Sequence, residues 1–207
     1  MAIRAALFDM DGTIWESPVD WMQVRQAIGV PPEARTIISY LSTVSPEERA
    51  RGMAVLERYE ASGVEAGCAM PGANELVAFL RSRGVPTALV TNNSRASASA
   101  TLDRIGCRFD RVFTREDGAL KPDPEALLAP LRALGFSPDE AVALGDSFLD
   151  LAAAHGAGIR EIVLVAPKAW SRSRFPAGAV FHEVTDLFAA RKLLECLLDG
   201  RRPRGSR

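Results

Sequence analysis

The fold of this chain is indicated first by residues 3–13, which read Ile-Arg-Ala-Ala-Leu-Phe-Asp-Met-Asp-Gly-Thr. The apolar run predicts a buried β-strand, and it ends in two aspartates, Asp9 and Asp11, followed at once by Gly12 and Thr13. Open α/β sheets bind their ligands at the carboxyl ends of the strands. Two carboxylates this close repel each other unless a cation or a shared proton lies between them, and oxygen ligands suit Mg²⁺. The stretch therefore predicts a strand that ends in an acidic, cation-binding site.

The composition indicates a chain that can bury a substantial core and carries no strong excess of one charge. Of the 207 residues, 47% are hydrophobic and 25% are charged, and the formal net charge is −1. This balance gives no reason to expect a nucleic-acid or membrane partner, and no apolar run is long enough to span a bilayer. The three cysteines, Cys68, Cys107 and Cys196, are far apart and odd in number, and the first residues show no signal-peptide pattern. We therefore expect a cytoplasmic protein.

Residues 15–70 predict an all-helical insert after the first strand, with no strand of its own. The expected helices cover residues 19–28, 33–41 and 46–61. Asp20 is a possible cap of the first helix, while Ser45 and Glu48 form a capping box for the third, which Ser62-Gly63 should end. Because both junctions of the insert fall beside the first-strand aspartates, the insert is expected to act as a lid, with a fixed helical decoration as the alternative.

From Pro71 onward, strands and helices alternate. The expected strands are 85–91, 111–114, 141–144 and 161–165, and the expected helices are 71–83, 95–105, 123–134, 148–155 and 184–198. Apolar strands alternating with helices indicate a parallel sheet covered on both faces. The fold class is therefore α/β, a three-layer doubly wound sheet built from residues 1–14 and 71–200 with the helical cap inserted at 15–70. Residues 201–207 carry four arginines and are expected to form a flexible basic tail.

Four segments of the chain place polar and charged residues at the predicted strand ends. They are Asp9–Thr13, Val90–Ser94, Lys121–Pro124 and Leu144–Asp150. Together they supply a carboxylate that could act as a nucleophile, a hydroxyl, an ammonium and further carboxylates. Phosphoryl transfer requires such a set, because the transferring group is negatively charged and a carboxylate can attack phosphorus.

In order and spacing, these segments resemble the four motifs of the haloacid dehalogenase (HAD) superfamily. The resemblance covers residues 3–165, and the small helical insert and the return to the core at Pro71-Gly72 are similar to the phosphoglycolate-phosphatase-like branch. It implies an Mg²⁺-dependent phosphatase that acts on a small phosphorylated metabolite, phosphoglycolate being one candidate. Dehalogenases of this superfamily lack an aspartate at the position of Asp11, since a halide leaves without a proton. The presence of Asp11 therefore favours phosphate chemistry.

The resemblance also implies roles for the acidic residues. Asp9 would be the nucleophile that takes the phosphoryl group. Asp11 would protonate the leaving oxygen and then activate the water that hydrolyses the aspartyl phosphate. The carboxylates of Asp9 and Asp146 and the main-chain carbonyl of Asp11 would hold Mg²⁺.

The remaining motif residues would bind the phosphoryl group or support those that do. By the same resemblance, the Thr91 hydroxyl, the Asn92 main-chain N–H and the Lys121 ammonium would contact the phosphoryl oxygens. Gly12 would let its loop pass close to that group, because a side chain there would crowd it. Asp150 would orient Lys121 or a metal-bound water.

Several alternatives stay open at this point. A phosphomutase of the β-phosphoglucomutase type would use the same residues, and a non-catalytic binding module would be expected to have lost one of the central charges. A phosphonate-cleaving enzyme would need a lysine in the lid, and residues 14–70 contain none. For Arg25 and Arg35 in the insert, both substrate binding and packing remain possible.

Overall fold

The computed structural model describes residues 2–201 of the chain. The strands are β1 (Ala5–Phe8), β2 (Trp15–Glu16), β3 (Cys68–Ala69), β4 (Thr87–Val90), β5 (Arg111–Phe113), β6 (Ala141–Gly145), β7 (Glu161–Val165) and β8 (His182–Val184). The α-helices are α1 (Trp21–Ile28), α2 (Ile37–Leu41), α3 (Pro46–Ala66), α4 (Ala73–Ser82), α5 (Arg95–Ile105), α6 (Glu125–Leu134), α7 (Phe148–Gly156), α8 (Ala169–Arg172) and α9 (Leu187–Leu198). The contacts divide the chain into two compact units, Met1–Glu16 with Cys68–Arg207, and Ser17–Gly67.

Within the described residues, six strands form one parallel sheet in the order β5-β4-β1-β6-β7-β8. Strand β1 is central, and its Ala6 pairs with Thr87 of β4 on one side and with Val142 of β6 on the other. The chain fills the sheet outward from β1 in one direction and then in the other. The α/β doubly wound class is thereby confirmed, and the point where the strand order reverses lies beside β1.

Both faces of this sheet are covered by helices. Ala5 and Leu7 of β1 belong to a core packed by α6 and α7, whereas Ala6 and Phe8 belong to a second core packed by α4, α5 and α9. Successive residues of a strand point to opposite faces, so a strand buried on both sides needs consecutive apolar residues. This requirement explains why the first strand reads as an unbroken apolar run.

The far edge of the sheet differs from the sequence prediction. The prediction of a helix over residues 184–198 was wrong at the start of the helix. Residues His182–Val184 form β8 parallel to β7, and α9 begins only at Leu187. Asp186 caps α9, and its Oδ1 accepts a hydrogen bond from the backbone N–H of Ala189 at 2.7 Å. Three residues of an edge strand are too few to show a two-residue alternation. The short helix α8 was also not predicted.

The unit Ser17–Gly67 keeps the predicted helix starts where a capping side chain marks them. Asp20 caps α1 and accepts hydrogen bonds from Met22 N–H at 2.9 Å and Gln23 N–H at 3.3 Å. Ser45 and Glu48 form the expected capping box, with Glu48 N–H donating to Ser45 Oγ at 3.2 Å and Ser45 N–H donating to Glu48 Oε2 at 3.1 Å.

Two helix ends in this unit differ from the prediction. Helix α2 begins at Ile37 and not at residue 33, because Thr36 is its cap. Helix α3 runs through Ser62-Gly63 to Ala66. A Cβ on Gly63 would lie 2.7 Å from Ser17 Oγ, so this glycine permits close packing of α3 against Ser17 and does not end the helix.

Arg25 has a structural role in this unit. Its Nη2 donates to the backbone oxygens of Pro31 at 2.8 Å and Ala34 at 2.9 Å. These bonds connect α1 to the loop that follows it, and substrate binding by Arg25 stays untested.

The junction of the insert contains two strands that the sequence did not predict. Strands β2 and β3 pair antiparallel, with Trp15 opposite Ala69 and Glu16 opposite Cys68. This pairing places residues 15–16 and 68–70, expected in the cap, with the sheet unit. The expected basic tail lies outside the described residues except for Arg201, which pairs with Asp199 at 2.6 Å. Of the helices within residues 2–201, none has the length and apolar character needed to cross a bilayer.

Candidate active site

The predicted site residues follow three neighbouring strands at the same edge of the sheet. Asp9 follows β1, Thr91 follows β4 and Asp146 follows β6, while Lys121 comes from the loop between β5 and α6. Asp9 still belongs to the ladder, because its N–H donates to Leu144 O at 2.9 Å. The parallel sheet therefore collects side chains that are far apart in the sequence.

The turn after β1 is tight, and Gly12 makes it possible. The backbone N–H groups of Thr13, Ile14 and Trp15 all donate to Met10 O, and Gly12 has a φ of +78°. A Cβ on Gly12 would lie 2.1 Å from Asp146 Oδ2. The missing side chain thus provides the room in which the Asp146 carboxylate lies.

Lys121 lies between two carboxylates in the buried part of the site. Its Nζ donates to Asp9 Oδ1 and, at 2.6 Å, to Asp150 Oδ1. The Lys121 side chain is only 5% exposed. The ammonium is therefore held at a defined point beside Asp9.

Asn92 and Asn93 position two other site residues through their side chains. Asn92 clamps the backbone of Lys121, with Nδ2 donating to Lys121 O at 2.8 Å and Lys121 N–H donating to Asn92 Oδ1 at 3.0 Å. Asn93 Nδ2 donates to Asp11 Oδ2 at 2.6 Å. These roles of the two side chains were not predicted from the sequence, which suggested a role only for the main-chain N–H of Asn92. Their position directly after a strand end was the signal that could have identified them.

Thr91 lies buried at the end of β4, with 4% of its surface exposed. Its Oγ1 accepts a hydrogen bond from Asn93 N–H at 3.1 Å. Since a hydroxyl that accepts one bond keeps its own proton to donate, Thr91 can still bind an anionic oxygen.

Asp150 is held by its own helix turn. Its Oδ2 accepts hydrogen bonds from Ser147 Oγ at 2.6 Å and from Ser147 N–H at 3.1 Å, while its Oδ1 accepts from Lys121. Ser147 is the N-cap residue of α7. A Cβ on Gly145 would lie 2.3 Å from Asp150 Cβ, so the missing side chain of Gly145 provides the space for Asp150.

The carboxylates of this cluster carry more negative charge than its single ammonium balances. Burial raises the pKa of Asp9 well above its usual value, and the charges of Asp150 and Asp146 add to the rise while Lys121 opposes it. Burial, followed by the charge of Asp150, raises the pKa of Asp146 to about 7. Burial alone would lower the pKa of Lys121, but the charges of Asp150 and Asp9 outweigh it and raise that pKa. Lys121 therefore stays protonated at neutral pH.

A divalent cation fits this set of oxygen donors. Asp9, Asp146 and Asp150 each offer a carboxylate oxygen, and these oxygens lie within 4.8 Å of one another. Among residues 2–201, no group donates a hydrogen bond to the Asp146 carboxylate, whereas those of Asp9, Asp11 and Asp150 are all bonded. Hard oxygen ligands and excess negative charge are what Mg²⁺ prefers.

Comparison with known proteins finds phosphatases among the relatives and a hydrolase among the solved structures of similar fold. N-acetylmuramic acid 6-phosphate phosphatase of Pseudomonas aeruginosa is 30% identical over 182 residues, covering 77% of this chain and 80% of that protein. Phosphoglycolate phosphatase of Rhodospirillum rubrum is 28% identical over 190 residues, covering 78% and 79%. The crystal structure of a hydrolase from Pseudomonas syringae has the same fold, with a TM-score of 0.74 at 22% identity and coverage of 97% and 100%.

Residues 3–158 match the hydrolase family described as haloacid dehalogenase-like hydrolase. This span includes the acidic turn after β1, the end of β4, Lys121 and the acidic start of α7, which the fold brings to one sheet edge. The chain therefore belongs to the haloacid dehalogenase-like hydrolases.

Proposed function

We propose that the protein is an Mg²⁺-dependent phosphatase that hydrolyses a small phosphorylated metabolite through an aspartyl-phosphate intermediate. The observation that carries this proposal is the buried Lys121 ammonium held between Asp9 and Asp150 beside the Asp146 carboxylate. A carboxylate that can act as a nucleophile, a fixed ammonium and carboxylate oxygens that can bind a cation thus lie close together.

Asp9 is the nucleophile in this proposal. Its carboxylate attacks phosphorus, the bond from phosphorus to the ester oxygen breaks, and the phosphoryl group becomes attached to Asp9. One oxygen of Asp9 is already fixed by Lys121, so the carboxylate is oriented before the substrate arrives.

Asp11 is the general acid and then the general base. It gives its proton to the leaving alkoxide, and in the second step takes a proton from the water that attacks the phosphorus and releases Asp9. Asn93 holds one oxygen of Asp11 at 2.6 Å and so orients this carboxyl group for the proton transfer. An alkoxide leaves poorly without a proton, and such an acid contributes about 10²–10⁴-fold to the rate.

In this proposal, three hydrogen-bond donors bind the phosphoryl oxygens. Thr91 offers its hydroxyl proton, Asn92 its main-chain N–H and Lys121 its ammonium. Gly12 leaves the space in which the loop passes close to the phosphoryl group. Charge stabilisation by such preorganised donors is a large term in phosphoryl transfer.

Mg²⁺ would be held by the carboxylates of Asp9 and Asp146 and by the main-chain oxygen of Asp11. When bound, it would neutralise these carboxylates and the charge on the phosphoryl oxygens. Both oxygens of Asp150 already accept hydrogen bonds from Lys121 and Ser147, which favours a positioning role for Asp150 over a ligand role.

The names of the relatives favour a small phosphate monoester as substrate. The similar proteins include phosphatases of N-acetylmuramic acid 6-phosphate and of phosphoglycolate, and phosphoglycolate is the first candidate to test. All three cysteines are free, which fits the proposed cytoplasmic location. The action of the insert as a lid stays a prediction.

The experiment is a panel of phosphorylated metabolites assayed with Mg²⁺ and with EDTA, comparing the wild type with Asp9→Asn. Asp103→Asn is the matched control, because Asp103 is an exposed aspartate of α5. We expect turnover only with Mg²⁺, a loss of at least about 10³-fold in Asp9→Asn and wild-type activity in Asp103→Asn. Retained turnover in Asp9→Asn would contradict the assigned nucleophile. A requirement for a bisphosphate activator would point to a phosphomutase, and inactivity on the whole panel would point to a binding module.

A further inference from the structure

The segment that follows β7, residues 166–174, lies next to the site but has no role in the chemistry described above. Strands β6 and β7 are parallel neighbours, with Gly145 opposite Leu164, so Ala166 leaves the same edge of the sheet as Asp146. Ala166 has a φ of +42°, a region that residues with a side chain rarely adopt. The backbone is held there by a hydrogen bond from Ala166 N–H to Val184 O at 2.8 Å.

Helix α8 in this segment is attached directly to the acidic turn of the site. Ser171 is 1% exposed, and its Oγ accepts a hydrogen bond from Phe148 N–H at 2.6 Å. Phe148 is two residues after Asp146. The rings of Phe148 and Trp170 meet edge to face with centroids 6.4 Å apart. Helix α8 is thus fixed against the start of α7, beside the Asp146 carboxylate.

This attached segment presents two cations and an aromatic ring that the fold does not otherwise use. In the part of the chain that the structure describes, neither Lys168 nor Arg174 forms an ion pair, whereas Arg172 between them binds Glu183. Arg174 stacks over the ring of Phe148 at 4.0 Å from its centroid. Trp170 is 57% exposed although it is a large apolar side chain. An exposed aromatic ring with unpaired cations is suited to an anionic organic ligand.

The charge around the site explains why such cations would be needed. Lys168 is close enough to Asp146 for its charge to lower the pKa of that carboxyl. A substrate whose leaving group carries its own negative charge must approach Asp9, Asp11 and Asp146, which repel it. Lys168 and Arg174 would offset this repulsion at the end of the substrate that Lys121 does not reach.

We propose that Lys168 and Trp170 form a subsite for the leaving group of the substrate, and that this subsite selects phosphate esters with a second anionic group on a short carbon skeleton. The inference rests on the proposed phosphatase function and deepens it by naming the substrate class. Lys168 binds the second anion, which is a carboxylate or another phosphate. Trp170 covers the carbon skeleton, and Arg174 adds to the positive field from its position on Phe148.

The test compares three phosphate esters that share a two-carbon skeleton. Phosphoglycolate carries a carboxylate, whereas 2-hydroxyethyl phosphate ends in a neutral hydroxyl, and ethane-1,2-diyl bisphosphate serves as the arm with a second phosphate. The measured quantity is the selectivity ratio, which is kcat/KM for the anionic ester divided by kcat/KM for the neutral one, all at saturating Mg²⁺. A charge-assisted contact predicts a ratio of about ten or more in the wild type, carried by KM.

Lys168→Met should lower this ratio about tenfold, and Lys168→Arg should restore most of it, because the charge and not the shape binds the anion. Trp170→Ala should raise KM for all three esters. Lys192→Met is the matched control, since Lys192 is an exposed lysine of α9, and it should leave the ratio unchanged. The anionic ester that loses more kcat/KM in Lys168→Met shows whether a carboxylate or a phosphate is the preferred second group.

Three results would overturn the proposal, and they differ from one another. Unchanged kcat/KM for every ester in Lys168→Met, with the wild type active, would overturn the subsite alone. An equal loss on anionic and neutral esters would show that Lys168 acts on the acidic cluster and not on the leaving group. No hydrolysis of any ester by the wild type would overturn the proposed function together with the subsite.

Discussion

Replacing Gly12 by alanine should separate backbone strain from damage to the acidic site. The new methyl group would stand 2.1 Å from Asp146 Oδ2 and 2.5 Å from Asp146 Cγ, where ordinary contacts begin at 3.4 Å. The Asp146 carboxylate must therefore move by about 1.3 Å, the difference between 3.4 and 2.1 Å. A displacement of about 1 Å in a reacting constellation can cost about 100-fold in rate.

The left-handed backbone conformation adds a cost in stability to Gly12→Ala. The variant Gly158→Ala measures this cost without a steric clash. Gly12 has a φ of +78° and Gly158 one of +77°, but a Cβ on Gly158 would have no atom within 4 Å. An alanine in this left-handed region costs about 1–2 kcal/mol at either position. For a chain of this size, each kcal/mol lowers Tm by about 2–4 °C.

The assay measures thermal unfolding in EDTA, the Mg²⁺ dependence of turnover and kcat/KM. We expect Gly12→Ala and Gly158→Ala to lower Tm by similar amounts. Only Gly12→Ala should lose about 100-fold in kcat/KM and need at least about tenfold more Mg²⁺ for half-maximal rate. Activity in Gly12→Ala within threefold of Gly158→Ala would refute the argument that the space above Gly12 holds Asp146 in place.

The remaining expectations concern the charges of the cluster and the clamp on Lys121. The pKa of Asp146 is raised to about 7 in the folded protein, so the folded state favours the protonated carboxyl. This stabilisation is present in acid and is lost as pH rises through 7. The metal-free protein should therefore lose up to about 1.4 kcal/mol of unfolding free energy per pH unit between pH 5 and 7. Thermal unfolding in EDTA should show this fall, Mg²⁺ should remove it, and an equally steep fall in Asp146→Asn would contradict the assignment. Asp150→Asn removes one of the two anchors of Lys121 and should lower kcat about 10- to 100-fold, whereas an unchanged kcat would rule out positioning by Asp150. Asn92→Ala deletes two hydrogen bonds to the Lys121 backbone and should cost about 2 kcal/mol in unfolding free energy and about tenfold in kcat, with intact values of both as the contrary result.

Local sequence patterns predicted an element correctly where the interactions that form it lie within one short stretch of the chain. The apolar run before Asp9 predicted a strand buried on both faces, and Ser45 with Glu48 predicted a helix start, because a cap bonds only to its own first turn. The same reasoning failed at Ser62-Gly63, where the glycine serves packing against Ser17, and at residues 182–184, where pairing with β7 makes a strand of a segment too short to show a period.

The sequence by itself determined the α/β alternation, the helical insert and the acidic turn after the first strand, since each depends on the spacing of neighbouring residues. Only the tertiary structure decided which side chains meet. Asn93 reaches Asp11 across 82 positions, the Gly12 turn makes room for Asp146, and α8 is fastened to Phe148. These contacts arise from the order and register of strands in the sheet, and that arrangement depends on long-range packing that no local window of the sequence contains.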